Sequence, residues 1–346
     1  MSFFRTGLLI VSACFWLMYG TSAFASPLDR SVKSPLKAGA IAVGEGRYDE
    51  ALQQFTQSLE QFPAIGYGNR CLVHLQMQHY SLAIEDCTAS LKFSQNPEVM
   101  LNLGLAYEQS GEHALAITQY ESIISANLAD YRVHYNLALA KAATGDHQAA
   151  VDAYTRALRE IPTRRSAASS TTSSTASSTA SLTNLPTNNL LPDNLPTDNL
   201  STDQANIYRD RGASYLVLAN YVAAVADFNA AISRNRDDLW TYFNRGCAYH
   251  RSNNFLPALQ DFDWVIARDD RNAHAYFNRG IIYARLGQAD AAIKNLEQAL
   301  QRFPANAHTT NVVIPVHQAQ QLIEQLKLGQ TDSSIFSILS NRAVSS

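Results

Sequence analysis

The chain has 346 residues, 27 Lys and Arg against 30 Asp and Glu, a formal net charge of −3 and a pI near 6.3. That balance excludes a nucleic-acid binder that works by neutralising phosphates. Hydrophobic residues at 46% exclude a chain disordered throughout, and sparse glycine (15) and proline (11) disfavour an all-β fold with many tight turns.

The first element is a targeting segment. Arg5 is followed by an apolar run from Thr6 to about Gly20, then by Ala23-Phe24-Ala25. Basic, apolar and small-x-small in that order predict a secretory signal, residues 1–25, cut after Ala25. Two alternatives keep the segment. Thr6–Ala25 is about long enough to span a bilayer, and Val11-Ser12-Ala13-Cys14 resembles a bacterial lipobox. The protein is expected to be exported, whether periplasmic, lumenal or secreted. It meets a membrane only if this segment is retained.

A repeat organises the rest. Gly39, Cys71, Gly104, Ala138, Gly212, Gly246 and Gly280 are each followed twelve residues later by an alanine: Ala51, Ala83, Ala116, Ala150, Ala224, Ala258 and Ala292. Successive spacings are 32, 33, 34, 74, 34 and 34, so about forty residues are inserted once. Three residues after the small position stands Tyr107, Tyr215, Tyr249 or Tyr283. Four after the alanine stands Phe55, Tyr120, Tyr154, Phe228, Phe262 or Leu296, with Cys87 departing. Offsets of three and four place these residues on one face of each of two helices. Gly46, Gly111, Gly145 and Gly287 fall in the turn between the two helices. Pro63, Pro162 and Pro304 are expected to stop second helices.

This pattern resembles the tetratricopeptide repeat family, most clearly at Leu103-Gly104, Tyr107, Ala116 and Tyr120. The resemblance implies an all-α, right-handed superhelical solenoid of seven helix-turn-helix units. Four repeats occupy 32–163 and three occupy 205–306. It also implies a non-enzymatic protein–protein interaction scaffold that takes an extended peptide in a concave groove and aids complex assembly. A membrane-anchored assembly factor and an enzyme accessory subunit are the alternatives. The partner, a protein or peptide, is not identified by the sequence.

The insertion, 164–204, is low-complexity. Thirteen of the eighteen residues in Ser166–Thr183 are Ser or Thr, so it is expected to be a disordered linker. Repeat five is expected to stack on repeat four with the linker looped out, because nothing in the linker caps either solenoid end. After the last repeat, Val316, Ala319, Leu322, Ile323 and Leu326 make an apolar stripe. It predicts a capping helix over 315–328, opened by Pro315 and closed by Gly329. A tail follows at 330–346.

No nucleotide-binding, hydrolase or metalloprotease motif occurs, and no region remains to fold a catalytic domain. Neither metal nor cofactor is expected; His74, His134 and His274 read as variable solenoid positions rather than ligands. Cys71 and Cys87 lie on the two helices of one repeat. They read as buried thiols filling small slots, or as a disulfide if the geometry and compartment permit. Cys247 is left over.

Two further patterns concern the first helices. Arg70, Arg211, Arg245 and Arg279 precede the small residue, and sixteen residues later stand Asp86, Asp227, Asp261 and Asn295. These predict structural bridges within each repeat, from first helix to second. One residue earlier runs a ladder: Asn69, Asn102, Asn136, Asp210, Asn244 and Asn278. Asparagine is a poor helix former, so six such residues in matching slots need a reason. The resemblance puts this part of the first helix on the concave groove and implies recognition of a peptide backbone there, using both donor and acceptor, with hydrogen bonding inside the solenoid as the alternative. Offsets of three and four add Trp240, Phe243, His274, Phe277, Arg251 and Arg285 as groove-side candidates. The carboxylate clamp of chaperone adaptors is matched only in part. Asn69 fits it, but Leu36 and Ala40 replace its lysine–asparagine pair.

Overall fold

The computed structural model describes residues 34–162, 197–303 and 310–329. The expected signal, most of the linker and the tail lie outside them. Among the described residues the chain forms fifteen helices and no strand. It divides into two compact units, residues 1–201 and 202–346.

The first unit holds four helix pairs: α1 (Ser34–Gly44) with α2 (Tyr48–Gln57), α3 (Pro63–Gln76) with α4 (Tyr80–Leu91), α5 (Pro97–Gln109) with α6 (His113–Ser125), and α7 (Tyr131–Ala143) with α8 (His147–Glu160). The second holds three pairs and a terminal helix. These are α9 (Thr197–Val217) with α10 (Tyr221–Arg234), α11 (Leu239–Arg251) with α12 (Phe255–Arg268), α13 (Ala273–Arg285) with α14 (Ala289–Arg302), and α15 (Thr310–Lys327). Within each unit, each helix packs on its chain neighbours. First helices of successive repeats also touch, α3 with α5, α5 with α7 and α11 with α13, which lines them up side by side within each unit.

Helix starts follow local chemistry. Asn96, Asp130, Asp146, Asn220, Asp238 and Asn272 each accept a hydrogen bond from a backbone N–H in the first turn of the helix they precede. Such caps are worth about 1 kcal/mol each. Pro63 opens α3 rather than stopping α2, which ends at Gln57; its missing N–H costs nothing in a first turn. Likewise α9 starts at Thr197, inside the stretch expected to be linker, and Arg234 on α10 reaches back to Gln204 on it (3.1 Å). The terminal helix begins at Thr310, not at Pro315, which sits inside it.

The turn inside every repeat needs one left-handed residue, seven positions after the small residue. Gly46, Gly111, Gly145 and Gly287 supply it at φ 71 to 86°. Gln78, Ala219 and Asn253 take the same slot at φ 61, 57 and 59°, a conformation that costs a side chain with a Cβ about 1–2 kcal/mol.

The core of each repeat is the contact between the small residue and the bulky residue of its own second helix. A Cβ added at Gly246 would stand 3.0 Å from the Phe262 ring, and one at Gly280 2.9 Å from Leu296. Phe55, Tyr120, Tyr154, Phe228, Phe262 and Leu296 are all essentially buried. The aromatics thus fill the space above their own repeat's small residue, rather than only the gap to the next repeat. Along α15, Ala319, Leu322, Ile323 and Leu326 cover the last repeat and join Phe277, Ile281 and Leu296 in one cluster.

Candidate functional site

The second-repeat cysteines occupy the small and bulky slots where the other repeats place glycine or alanine and an aromatic or leucine. Those slots are the closest approach of the paired helices, and here a disulfide joins Cys71 to Cys87 with Cα atoms 5.2 Å apart. This corrects the reading of two free buried thiols. The slot identity of both residues was visible in the sequence; the helix separation it implies was not. Cys247 is a free thiol, pushed up to about 12 by burial.

The arginines lie across the paired helices. Arg211 grips Asp227 through Nε and Nη2, both at 2.7 Å. Arg245 grips Asp261 through Nε (2.9 Å) and Nη2 (2.6 Å). Arg70 reaches Asp86 through Nε (3.1 Å), and Arg279 reaches Asn295 (2.7 Å). Each guanidinium also lies over a tyrosine: Tyr67, Tyr208, Tyr242 or Tyr276. Burial raises the carboxyls of Asp86 and Asp261, with their arginines pulling the other way. The spare Nη1 of Arg245 donates to Asn229 (2.7 Å) and that of Arg279 to Asp263 (2.5 Å), both on the preceding repeat. These arginines therefore tie three helices, not two. The inter-repeat arm escaped the sequence reading, although Asn229 and Asp263 stand sixteen residues before their arginines.

The asparagine ladder divides. Asn244 and Asn278 donate Nδ2 to the backbone carbonyls of Trp240 and His274, each four residues earlier on their own helix, at 2.8 Å. Among the described residues no hydrogen bond to their Oδ1 atoms is made. Asn69 holds a buried Nδ2 without a protein partner, and Asn102 is half-buried. Asn136 is buried, and Asp210 is held by Arg209 (3.0 Å).

Around the ladder in the second unit, Trp240 is 38% exposed and takes Arg209 over its ring. Phe243 is half-buried against Phe262. His274 packs edge-on to Phe303, and burial lowers its basicity. Phe277, expected on the groove, is instead 7% exposed within the cluster that α15 completes. The terminal helix claims the apolar face of the last repeat, so that phenylalanine is core. Arg251 is exposed and Arg285 half-buried. Among the described residues no group of three or more His, Cys, Asp or Glu side chains is placed to hold a metal ion.

A family model described as "Tetratricopeptide repeat" matches residues 70–127, 101–165 and 243–307. Human "Tetratricopeptide repeat protein 6" is 28% identical over 98 residues, which is 28% of this chain and 19% of that one. Mouse "Sperm-associated antigen 1" is 30% identical over 88 residues, 25% of this chain and 10% of the relative. The chain thus spans a fifth or less of the length of these relatives. Among solved structures, Cut9–Hcn1 of the APC/C has a TM-score of 0.51 at 14% identity, covering 84% of this chain and 48% of that one. PilF of Pseudomonas aeruginosa has a TM-score of 0.51 at 13% identity, covering 77% of this chain and 97% of that one. At those identities the likeness is one of fold.

Proposed function

This chain is a tetratricopeptide-repeat protein, and from that premise we propose that it is a non-enzymatic scaffold that binds an extended peptide segment of a partner protein along its first helices. The observation that carries the reading is on α11 and α13. Exposed Trp240, half-buried Phe243 and the open Oδ1 atoms of Asn244 and Asn278 fall on one face of adjacent first helices. Apolar anchors beside spare hydrogen-bond acceptors suit an extended peptide, whose backbone N–H groups need acceptors. Repeat solenoids use such surfaces for binding.

The second part of the proposal is export. A disulfide persists in oxidising compartments, and Cys71–Cys87 is consistent with the signal read at residues 1–25. In that setting the scaffold would serve assembly of other complexes outside the cytoplasm.

The test is selection of peptides from a displayed random library on the full mature chain. Affinities are then measured for the wild type and for Asn244→Ala/Asn278→Ala. Each lost hydrogen bond should cost about 0.5–1.5 kcal/mol. A library that yields no binder, or binders indifferent to the double substitution, would remove the groove from consideration.

A further inference from the structure

The last turns of α11 and α13 carry three basic side chains and no acidic counterpart. His250 and Arg251 close α11, and Arg285 closes α13. The Nε2 of His250 and the Nε of Arg285 are both buried and make no hydrogen bond. The contact that holds Arg285 is a neutral one, Nη1 to the Oδ1 of Asn253 at 3.2 Å. Among the described residues neither Arg251 nor Arg285 has a carboxylate in ion-pair range. The structural arginines of the same helices differ: Arg245 and Arg279 sit six residues earlier and are each matched with an acid.

The electrostatic consequence is visible on each group. Burial, with Arg285 and Arg251 adding repulsion, pushes His250 down to about 4. Burial likewise lowers Arg285, with nothing nearby to restore it. Partly desolvated cations without an anion are unfavourable, and a buried donor left unmade costs about 1–3 kcal/mol. A bound oxyanion would offset the uncompensated charge.

The position is specific to these repeats. Five residues after the small residue, the other five repeats carry Gly44, Gln76, Gln109, Ala143 and Val217. Only repeats six and seven place arginine there. The slot lies on the face of α11 that also bears Trp240, Phe243 and Asn244, two to three turns further along.

We propose that His250, Arg251 and Arg285 form an oxyanion subsite at the end of the peptide-binding face, and that the partner segment is acidic there. Carboxylate and phosphate share the required chemistry: a planar or tetrahedral set of oxygens that guanidinium groups grip in pairs. The proposal rests on the peptide-binding reading for its ligand but not for its existence, so the test has two arms.

In the first arm, inorganic phosphate is titrated into the full chain while the His250 imidazole is followed by NMR. A saturable shift is expected, together with a rise in the imidazole's basicity. Both should be lost in Arg251→Gln/Arg285→Gln. No saturable response, or one that survives the double substitution, would overturn the subsite whatever the fate of the peptide reading. In the second arm, each library-selected peptide is made with Glu, phosphoserine or Gln at its acidic position. The acidic and phosphorylated forms should bind the wild type about tenfold or more tighter than the Gln form, as expected for one charge-assisted bond. The double variant should erase that difference. Asn244→Ala should weaken all three forms alike. Equal binding of the three forms to the wild type would refute the acidic partner and leave the peptide groove standing. The ratio of the first two forms identifies carboxylate or phosphate as the source.

Discussion

The Arg245–Asp261 pair offers the sharpest test of what holds one repeat together. Asp261 is 3% exposed and receives two charge-assisted bonds from one guanidinium. Arg245→Met removes both and strands a buried carboxylate, a change that costs about 3–5 kcal/mol. Asp261→Leu is expected to cost less. Arg245 keeps Asn229 as an acceptor (2.7 Å), lies 5.1 Å from the Tyr242 ring centroid and is only half-buried. The double variant should lose clearly less than the sum of the two, with a coupling of about 2 kcal/mol, inside the range of about 0.5–3 kcal/mol for contacting pairs. The control cycle is Asp261 with Arg279. Arg279 bonds to Asp263 and Asn295 instead, so coupling there should stay below about 0.5 kcal/mol. Urea denaturation followed by circular dichroism supplies the numbers. Equal couplings in the two cycles would refute the pairing.

The same pair carries a pH signature whose sign follows from the burial. Asp261 is raised by desolvation, and Arg245 is the group that pulls it back down. Arg245→Met therefore lifts the folded carboxyl further above its unfolded value. A carboxyl raised in the fold contributes most favourably below its unfolded value, and that contribution is lost as pH rises through the folded value. The deficit of Arg245→Met against wild type should thus shrink when pH falls from about 7 to about 5. A deficit that grows on acidification would contradict Arg245 as the group that pulls the Asp261 carboxyl down.

Three further outcomes are expected. Ala219→Gly should raise the melting temperature, since it relieves a non-glycine residue at φ 57°. The gain should be about 0.5–1 kcal/mol, and calorimetry showing a loss would mean the turn is held by other contacts. Gly104→Ala should destabilise by about 1–3 kcal/mol from overpacking. Gly246→Ala should cost less, because its Cβ would stand further from the facing ring than at Gly104; the reverse order in denaturant midpoints would contradict the packing account. Reducing Cys71–Cys87, whose partners are 16 residues apart, should lower stability by about 3 kcal/mol. Cys71→Ala/Cys87→Ala should show the same loss and no further sensitivity to reductant.

Much of the fold was legible because the repeat is written in residues that have one physical use. A glycine in a helix interior is costly, so its recurrence twelve residues before an alanine already implied close helix contact. Both cysteines in the second repeat fall in the slots of that contact, which is why a bridge fits there. What stayed hidden depended on context beyond one repeat. The left-handed turns at Gln78 and Ala219 carry no residue signature, because tertiary packing imposes that conformation against preference. Phe277 occupies the same slot as Phe243, yet it is buried because the chain's last described helix covers it. Periodicity reports a helix face, but what lies against that face is decided elsewhere in the chain.

The arginines make the same point about function. Arg245 and Arg251 stand on one helix and are the same residue type, and neither differs in any local sequence preference. Arg245 meets Asp261, Asn229 and two tyrosine rings, so its charge is consumed in holding three helices together. Arg251 is exposed, beside a histidine made less basic by burial and, secondarily, by Arg285 and Arg251 itself. The distinction lies in the partner sixteen residues on: an aspartate follows Arg245 at that distance, whereas Ala267 follows Arg251 and Gln301 follows Arg285. On α11 and α13 an arginine is structural when that residue is aspartate or asparagine, as for Arg245 and Arg279. When it is neither, as for Arg251 and Arg285, the charge is left for something outside the chain to neutralise. That rule separates scaffold from site on these two helices, and exchanging the two settings tests it. Introducing Ala267→Asp should draw Arg251 into an internal bridge, raise stability slightly and abolish the phosphate response of His250. A phosphate response that persists beside the introduced aspartate would break the rule.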